Sequence, residues 1–313
     1  SEAVLYKVED KALEEINTFS YSDFATFDSS SRLRKIKSFF RYNSFLTFLS
    51  KIIDLYEIDV LYFRYPQPTN KLFNLAKKKD LIKIIEFPTY PYVEKYKKTL
   101  PTLEYYLFWK NGIKKIEDFA DVIAGITGDN QLKGDKKLVL INNGIRLEDI
   151  KIKNQNKKSS LNLLSIAYVD FRHGYDRIIK GLHKYYKKNP KKQVYYHCVG
   201  EGPVLENLKN LVKELKLEKY VIFHGTKVGE ELDKIVDDSD VAFGSLGFHR
   251  IYLKGGSPLK AREYCARGIP FVIAYDDWDF PESFPYVFRI PQDDSPVDID
   301  KVINWYEDLS KKH

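Results

Sequence analysis

The chain has 313 residues, of which 43% are hydrophobic, and this is enough to bury two cores. Its formal net charge of +7 is shared about evenly between the two halves, so no basic tail or domain indicates nucleic-acid binding. Cys198 and Cys265 are the only cysteines, which excludes both a disulfide framework and a cysteine zinc cluster.

The first predicted element is a basic, aromatic helix over 31–51. No acid interrupts its cations and rings, which are Arg32, Arg34, Lys35, Lys37, Phe39, Phe40, Arg41, Phe45, Phe48 and Lys51. Two interpretations stay open: a core-facing helix with a solvated cationic side, or peripheral contact with anionic lipid headgroups. No apolar run reaches the roughly 18 residues that span a bilayer, and the N-terminal segment lacks the order of a signal peptide. We expect a cytoplasmic protein, at the inner face of the membrane if the second interpretation holds.

The remainder of the first half predicts an α/β domain that ends in a polar link. Apolar runs predict strands at 58–63, 81–87, 121–126 and 137–141. Residues 151–160 are too polar to enter a core, so we expect a first domain over 1–150. Glu86 emerges from the second of these strands and Arg64 follows the first. Glu86 is a candidate for polar contact or proton transfer with a substrate, and the alternative is an acid that caps local N–H groups.

From residue 161 onward, strand-like and helical patterns alternate, which is typical of a parallel, doubly wound sheet. Predicted strands cover 161–169, 194–199, 220–223, 240–243 and 269–274, and predicted helices cover 175–189, 204–217, 230–237 and 299–313. We expect a second Rossmann-like domain over 151–298, followed by the C-terminal helix over 299–313.

Four loops follow the strands of this second domain, at the edge where open parallel sheets bind ligands. They are Asp170–Gly174, which supplies cations, Gly200–Pro203, His224–Thr226 and Lys254–Lys260. In the last loop, Gly255 and Gly256 allow close backbone approach, and the helix that follows offers N–H groups and a positive dipole end to an anion. This loop therefore predicts a diphosphate site.

Two short acidic sequences fit a pattern used elsewhere for metal binding. They are Asp238-Ser239-Asp240, at a helix-to-strand junction, and Asp277-Trp278-Asp279, after the last predicted strand. Both positions favour turns. The six histidines are too scattered to define a metal site, so we expect no metal.

The ordered set of motifs resembles the retaining nucleotide-sugar glycosyltransferases of the GT-B fold, in the large "glycosyltransferases group 1" family, or family 4. The resemblance spans about residues 140–275 and is carried by Asn143-Gly144-Ile145, 173–177, 199–203, 221–225, Asp240-Val241 and 255–272. It implies two Rossmann-like domains that face a cleft. The C-terminal domain would hold the nucleotide sugar and the N-terminal domain the acceptor, with no obligatory metal.

The same resemblance implies residue roles, together with departures from the family pattern. Glu263 matches the second acid of a two-glutamate motif and would accept hydrogen bonds from ribose, whereas Gly255 stands where the first acid belongs. Tyr168 and His173 stand where two diphosphate-binding cations are expected, so Arg172, Lys254 and Lys260 would compensate. The predicted catalytic residues are Glu86, Arg172 and Lys260, and the predicted nucleotide-sugar contacts are His173, Gly200, Gly202, Gly225, Thr226, Lys254, Gly255, Gly256, Ser257, Leu259 and Glu263.

We therefore expect a hexosyltransferase-like enzyme of polysaccharide biosynthesis. It would transfer a sugar, with retention, from a nucleotide-diphosphate sugar such as a UDP-sugar to a hydroxyl of a glycan or lipid-linked glycan. The donor is a substrate, and no cofactor is expected. Two alternatives remain: a nucleotide-sugar 2-epimerase of the same architecture, and a noncatalytic nucleotide-binding subunit of a glycan-synthesis complex.

Overall fold

The computed structural model describes residues 2–9, 12–20, 32–64, 66–75, 81–87, 111–126, 137–154 and 159–312, with the backbone alone for 2–9, 12–20, 32–41, 111, 113 and 312. The chain forms two compact units. The first comprises Ser1–Gly125 and Asp129–Ile141, and the second comprises Ile126–Gly128 and Asn142–His313. The predicted boundary after residue 150 places residues 142–150 in the first domain, whereas the contacts place them in the second unit.

The first unit contains an antiparallel hairpin and a four-stranded parallel sheet in the order β3-β4-β5-β6. The strands are β1 (Glu2–Glu9), β2 (Ala12–Ser20), β3 (Val60–Arg64), β4 (Ile82–Phe87), β5 (Val122–Gly125) and β6 (Leu138–Leu140), and the helices are α1 (Arg32–Leu55), α2 (Asn70–Leu75) and α3 (Asn111–Phe119). The four predicted strands of this unit are confirmed, and the hairpin was not predicted.

One face of this sheet forms the core of the first unit. Leu61, Ile85 and Ile123 lie in it, and α1 contributes Leu46 and Ile53 to the same cluster. The side chains of α1 are described from Tyr42 onward, and this part of the helix packs against the core. The cationic side chains before Tyr42 are not among the described ones. None of the helices among the described residues is long and apolar enough to cross a membrane. Contact of α1 with anionic lipid stays a prediction.

The second unit is built on a six-stranded parallel sheet in the order β14-β12-β10-β7-β8-β9. Its strands are β7 (Leu161–Ile166), β8 (Val194–Val199), β9 (Val221–Gly225), β10 (Val241–Phe243), β12 (Phe271–Ile273) and β14 (Val287–Arg289), and β11 (Gly255–Gly256) pairs with β13 (Asp276–Asp277) beside it. Numbered from β7, this is the strand order 3-2-1-4-5-6 of a doubly wound dinucleotide-binding sheet. The five predicted strands are confirmed, and β14 was not predicted.

Helices cover both faces of this sheet. They are α4 (Asp176–Tyr186), α5 (Leu205–Glu214), α6 (Gly229–Asp237), α7 (Leu259–Ala266) and α8 (Ile299–Lys312). One buried cluster joins the sheet to α4, α5 and α8, and a second joins it to α6 and α7. The C-terminal helix α8 therefore packs against the sheet of the second unit, and it contributes Val302 and Ile303 to the first of these clusters.

Candidate functional site

The strand order of the second unit reverses between β7 and β10, and ligands of doubly wound sheets bind at the carboxyl ends of such a pair. The loops that leave these two strands are joined by backbone hydrogen bonds. Leu246 N donates to the carbonyl of His173 at 2.8 Å, and Gly247 N donates to that of Arg172 at 3.2 Å. The loop after β7 and the loop after β10 therefore form one edge of the candidate site.

In the loop after β7, His173 is buried and uncharged. Its Nδ1 accepts the backbone N–H of Asp170 at 3.1 Å. Burial lowers the pKa of His173 to about 2, and the positive charges of Lys260 and Arg172 act in the same direction. His173 can therefore offer a hydrogen bond but no charge. Arg172, whose side chain is 44% exposed and 3.9 Å from the Asp170 carboxylate, is the cation that this loop contributes.

Helix α7 begins at Leu259, next to Lys260, whose side chain contacts Tyr175 just after the loop that follows β7. Pro258 is its N-cap residue, and the Pro258 carbonyl accepts Ala261 N at 3.2 Å. The amides of Leu259 and Lys260 are the first of the helix, where helical geometry provides no intrahelical acceptor. The side chain of Leu259 is exposed, so its contribution to an anion site is its backbone N–H.

Lys260 points from α7 toward the loop after β7. Its Nζ donates to the hydroxyl of Tyr175 at 3.2 Å and lies 5.7 Å from the centre of that ring. Loss of hydration lowers the pKa of Lys260 to about 7, with Arg172 as the second cause. The ammonium thus lacks a carboxylate partner among the contacts described here and is poorly solvated, which favours pairing with an incoming anion.

Ser257 is buried, and its hydroxyl is engaged inside the protein. It accepts Asn143 N at 3.3 Å and donates to Asp279 Oδ2 at 3.0 Å. The carbonyl of Ser257 accepts Asn143 Nδ2 at 2.5 Å. The predicted contact between Ser257 and the donor therefore cannot use this hydroxyl unless these bonds break.

Gly255 and Gly256 precede α7 in close contact with aromatic rings. A Cβ atom at Gly255 would lie 2.6 Å from the Asp276 carbonyl oxygen and 2.8 Å from Trp278 Nε1, and one at Gly256 would lie 3.4 Å from the Phe248 ring. Trp278 thus fills the space of a side chain at 255. Lys254 is exposed, and its carbonyl accepts Asp276 N at 2.9 Å.

The glycine turns after β8 and β9 hold neighbouring loops together. Gly200 N donates to the Gly225 carbonyl at 2.7 Å, so that amide is already used. The positions of Cβ atoms at Gly200 and Gly202 are blocked by the carbonyl oxygens of Ala167 and Val169. Their role in this structure is close backbone packing. Thr226, which follows Gly225, is exposed at the same edge.

Glu263 lies one turn beyond Lys260 on α7, and its carboxylate pairs with Arg267, the C-cap residue of that helix. Its Oε1 pairs with Arg267 Nε at 3.0 Å, and Arg267 NH1 pairs with Asp233 at 2.7 Å. The Glu263 side chain is 31% exposed. Arg267 therefore orients a carboxylate that is accessible to a ligand, as the predicted ribose contact requires.

The two acidic sequences bind protein groups. Arg262 donates to both carboxylate oxygens of Asp277 at 2.8 Å and also pairs with Asp279. Asp240 accepts Asn162 N at 2.7 Å. Sequence reasoning missed the partner Arg262, which belongs to a different element from the acids and is distant along the chain.

In the first unit, polar side chains meet at the ends of β3 and β4, where Arg64 and Glu86 are paired in register. Glu86 Oε1 lies 3.1 Å from Arg64 Nε, and Tyr62 donates its hydroxyl to Glu86 Oε2 at 2.8 Å. The Glu86 side chain is 14% exposed and that of Arg64 60%. Arg64 therefore presents the accessible positive end of this cluster.

Residues 147–284 match the family model described as "Glycosyl transferases group 1". Similar solved structures include a glycosyltransferase from Rickettsia africae ESF-5, with 14% identity over 91% of this chain and 74% of that chain and a TM-score of 0.60. Sucrose-phosphate synthase from Thermosynechococcus elongatus has 14% identity over 93% and 73%, with a TM-score of 0.63. Anabaena Alr3699/HepE, solved in complex with UDP, has 13% identity over 85% and 73%, with a TM-score of 0.60.

The comparison with curated proteins found no match. The two parallel α/β units and their structural relatives define the GT-B fold. The match to the group 1 model covers most of the second unit. Together the domain match and the fold indicate a glycosyltransferase.

Proposed function

We propose that the protein is a retaining glycosyltransferase of polysaccharide biosynthesis. It transfers a sugar from a UDP-sugar to a hydroxyl of a glycan or lipid-linked glycan. The observation that carries the proposal is the convergence of Lys260 and the first amides of α7 on the edge where the strand order reverses. The UDP complex of Anabaena HepE supports the choice of nucleotide.

The donor diphosphate is held by positive charge and by N–H groups. The amides of Leu259 and Lys260 donate to its oxygens, and the ammonium of Lys260 and the guanidinium of Arg172 balance its charge. Because charge grows on the diphosphate as the glycosidic bond breaks, these groups bind the transition state more tightly than the bound donor. Glu263, oriented by Arg267, accepts hydrogen bonds from the ribose hydroxyls.

The acceptor contacts the first unit, at the cluster formed by Glu86, Arg64 and Tyr62. Glu86 accepts a hydrogen bond from the acceptor, and Arg64 orients its carboxylate. The departing phosphate takes the proton of the acceptor hydroxyl as the new bond forms on the face that the leaving group vacates. The donor site needs no resident metal ion, because Lys260, Arg172 and the helix supply positive charge.

The first experiment compares thermal stabilisation by UDP, GDP, ADP and CMP. Selective stabilisation by UDP is expected. Donor turnover is then followed with and without hydroxyl acceptors. Release of UDP only when an acceptor is present, with an α-linked product from an α-linked donor, supports retaining transfer. Epimerisation of the donor without an acceptor, or binding without turnover under any condition, would contradict the proposal.

A further inference from the structure

The candidate diphosphate loop is backed by a buried ion cluster that no part of the proposed mechanism uses. Arg262 and Asp277 form a two-armed pair, with both N···O distances 2.8 Å and side-chain exposures of 9% and 0%. Asp279 adds a second carboxylate to the same guanidinium. Buried charges of this kind hold a fixed geometry, because separating them leaves an uncompensated charge in the interior.

This cluster reaches the first turn of α7 directly. Arg262 NH1 also donates to the carbonyl of Pro258 at 3.1 Å, and Pro258 is the N-cap residue. The guanidinium therefore fixes the peptide unit that carries the amide of Leu259, since the Pro258 carbonyl and the Leu259 N–H belong to one planar group. The direction of the Leu259 amide follows from this contact.

A second set of hydrogen bonds holds Ser257, the residue before Pro258. Asp279 accepts the hydroxyl of Ser257 at 3.0 Å and the amide of Asn142 at 2.6 Å. Asn143 completes the set by donating its backbone N–H to the Ser257 hydroxyl and its side-chain amide to the Ser257 carbonyl. The buried Ser257 is thus bound by both Asn143 and Asp279.

We propose that Arg262, Asp279 and Asn143 form a positioning frame that holds residues 257–260 in the geometry that binds a diphosphate. The inference rests on the proposed function. A loop fixed in advance loses little conformational freedom when the ligand arrives, so the frame raises affinity for the diphosphate part of the donor. It does not contribute to affinity for the nucleoside part, which these residues do not contact.

The test measures the effect of the frame on diphosphate binding separately from its effect on nucleoside binding. Asn143→Ala and Asp279→Ala are prepared, with Asn154→Ala as the matched control, since the Asn154 amide holds Asp237 at 2.9 Å in the same unit. Dissociation constants are measured for UDP and for uridine. We expect each frame variant to bind UDP about tenfold more weakly, the effect of losing one or two hydrogen bonds, and to bind uridine as the wild type does. The control variant should leave both constants unchanged.

The double variant Asn143→Ala/Asp279→Ala should lose less than the sum of the two single effects, because both residues act through Ser257. If a variant at 279 fails to fold, Ser257→Ala takes its place, since it removes only the hydroxyl that joins the two residues.

Equal losses for UDP and uridine would overturn the inference, because they indicate general loosening of the unit. Unchanged UDP binding in the frame variants would overturn it as well. Both results leave the proposed function standing, provided that the wild type binds UDP. A wild-type protein that binds none of the four nucleotides would refute the proposed function, and the inference with it.

Discussion

The ammonium of Lys260 lies 3.2 Å from the hydroxyl of Tyr175, across the edge where helix α7 meets the loop after β7. The neighbours of the ammonium are the neutral hydroxyl and the aromatic ring of Tyr175, and neither neutralises its positive charge. The lowered pKa of this lysine should therefore rise when an anion binds beside it. For the same reason, the affinity for an anionic ligand should depend on pH.

UDP affinity should fall as the pH rises above neutrality. The pKa of Lys260 is lowered to about 7 in the free protein, so above this value the free protein has lost a proton that the complex holds. Binding must then take up a proton, which weakens affinity by up to about tenfold for each pH unit. Calorimetric titration between pH 7 and 9 measures this, because the terminal phosphate of UDP, with a pKa of about 6, is already ionised there.

The control for this dependence is Lys260→Arg, which stays protonated over the whole range. Its UDP affinity should be nearly constant between pH 7 and 9. A wild-type affinity that is equally constant would show that Lys260 does not face the diphosphate.

Lys260→Met should unfold at a higher temperature than the wild type near pH 6.5. A lysine pKa lowered in the folded state means that the unfolded chain binds more protons between about 7 and the ordinary lysine value, so wild-type stability rises with pH across that window. Below the window the wild type bears the full cost of the buried charge, and methionine removes it. Thermal unfolding at pH 6.5 measures the gain, with Lys213→Met on the exposed face of α5 as the control. A lower melting temperature for Lys260→Met would contradict this account.

Glu263→Ala should abolish the preference for ribose over deoxyribose. The wild type is expected to bind UDP about tenfold more tightly than 2′-deoxy-UDP, the effect of a hydrogen bond to a charged group, and the variant should bind the two equally. Asp233→Asn is the matched control, because it removes the other carboxylate that pairs with Arg267 and leaves Glu263 in place. A preference that survives in Glu263→Ala would remove Glu263 from the ribose site.

Glu86→Gln should leave the dissociation constant of UDP unchanged and slow sugar transfer by about tenfold to a hundredfold, the effect of losing a hydrogen bond from the acceptor to a charged group. Glutamine keeps the size of the side chain but loses the charge that Arg64 holds. Initial rates are measured with an acceptor that the wild type uses. Asp121→Asn, which removes a carboxylate paired with Lys83 in the same sheet, should transfer at the wild-type rate. Equal rates for Glu86→Gln and the wild type would exclude this role.

Most strands could be predicted from the sequence because a buried parallel strand is a short apolar run between turn residues. Leu161–Ile166 and Val194–Val199 show this pattern plainly. Val287–Arg289 does not, since it is three residues long and ends in an arginine, and only its pairing with Phe271–Ile273 defines it as a strand. A pairing partner of that kind is not visible in a local window.

The sequence predicts a site residue well when its role depends on the local backbone. It predicts a site residue less well when the role depends on a group from another part of the chain. The start of helix α7 could be inferred from its own residues. The burial of His173 and the pairing of Asp279 with Arg262 could not, because each depends on a group from another part of the chain. An arginine on the helix that immediately precedes the strand leading to an acidic pair is the signal that could have suggested the second.

The indole that occupies the space beside Gly255 constrains how an acidic residue could be introduced there. A glutamate introduced alone would meet Trp278 and the Asp276 carbonyl and would displace the loop that it is meant to serve. A smaller residue at 278 would relieve only the contact with the indole, because the other contact is with the backbone of the paired strand β13. An acid at 255 therefore also requires β11 and β13 to move apart.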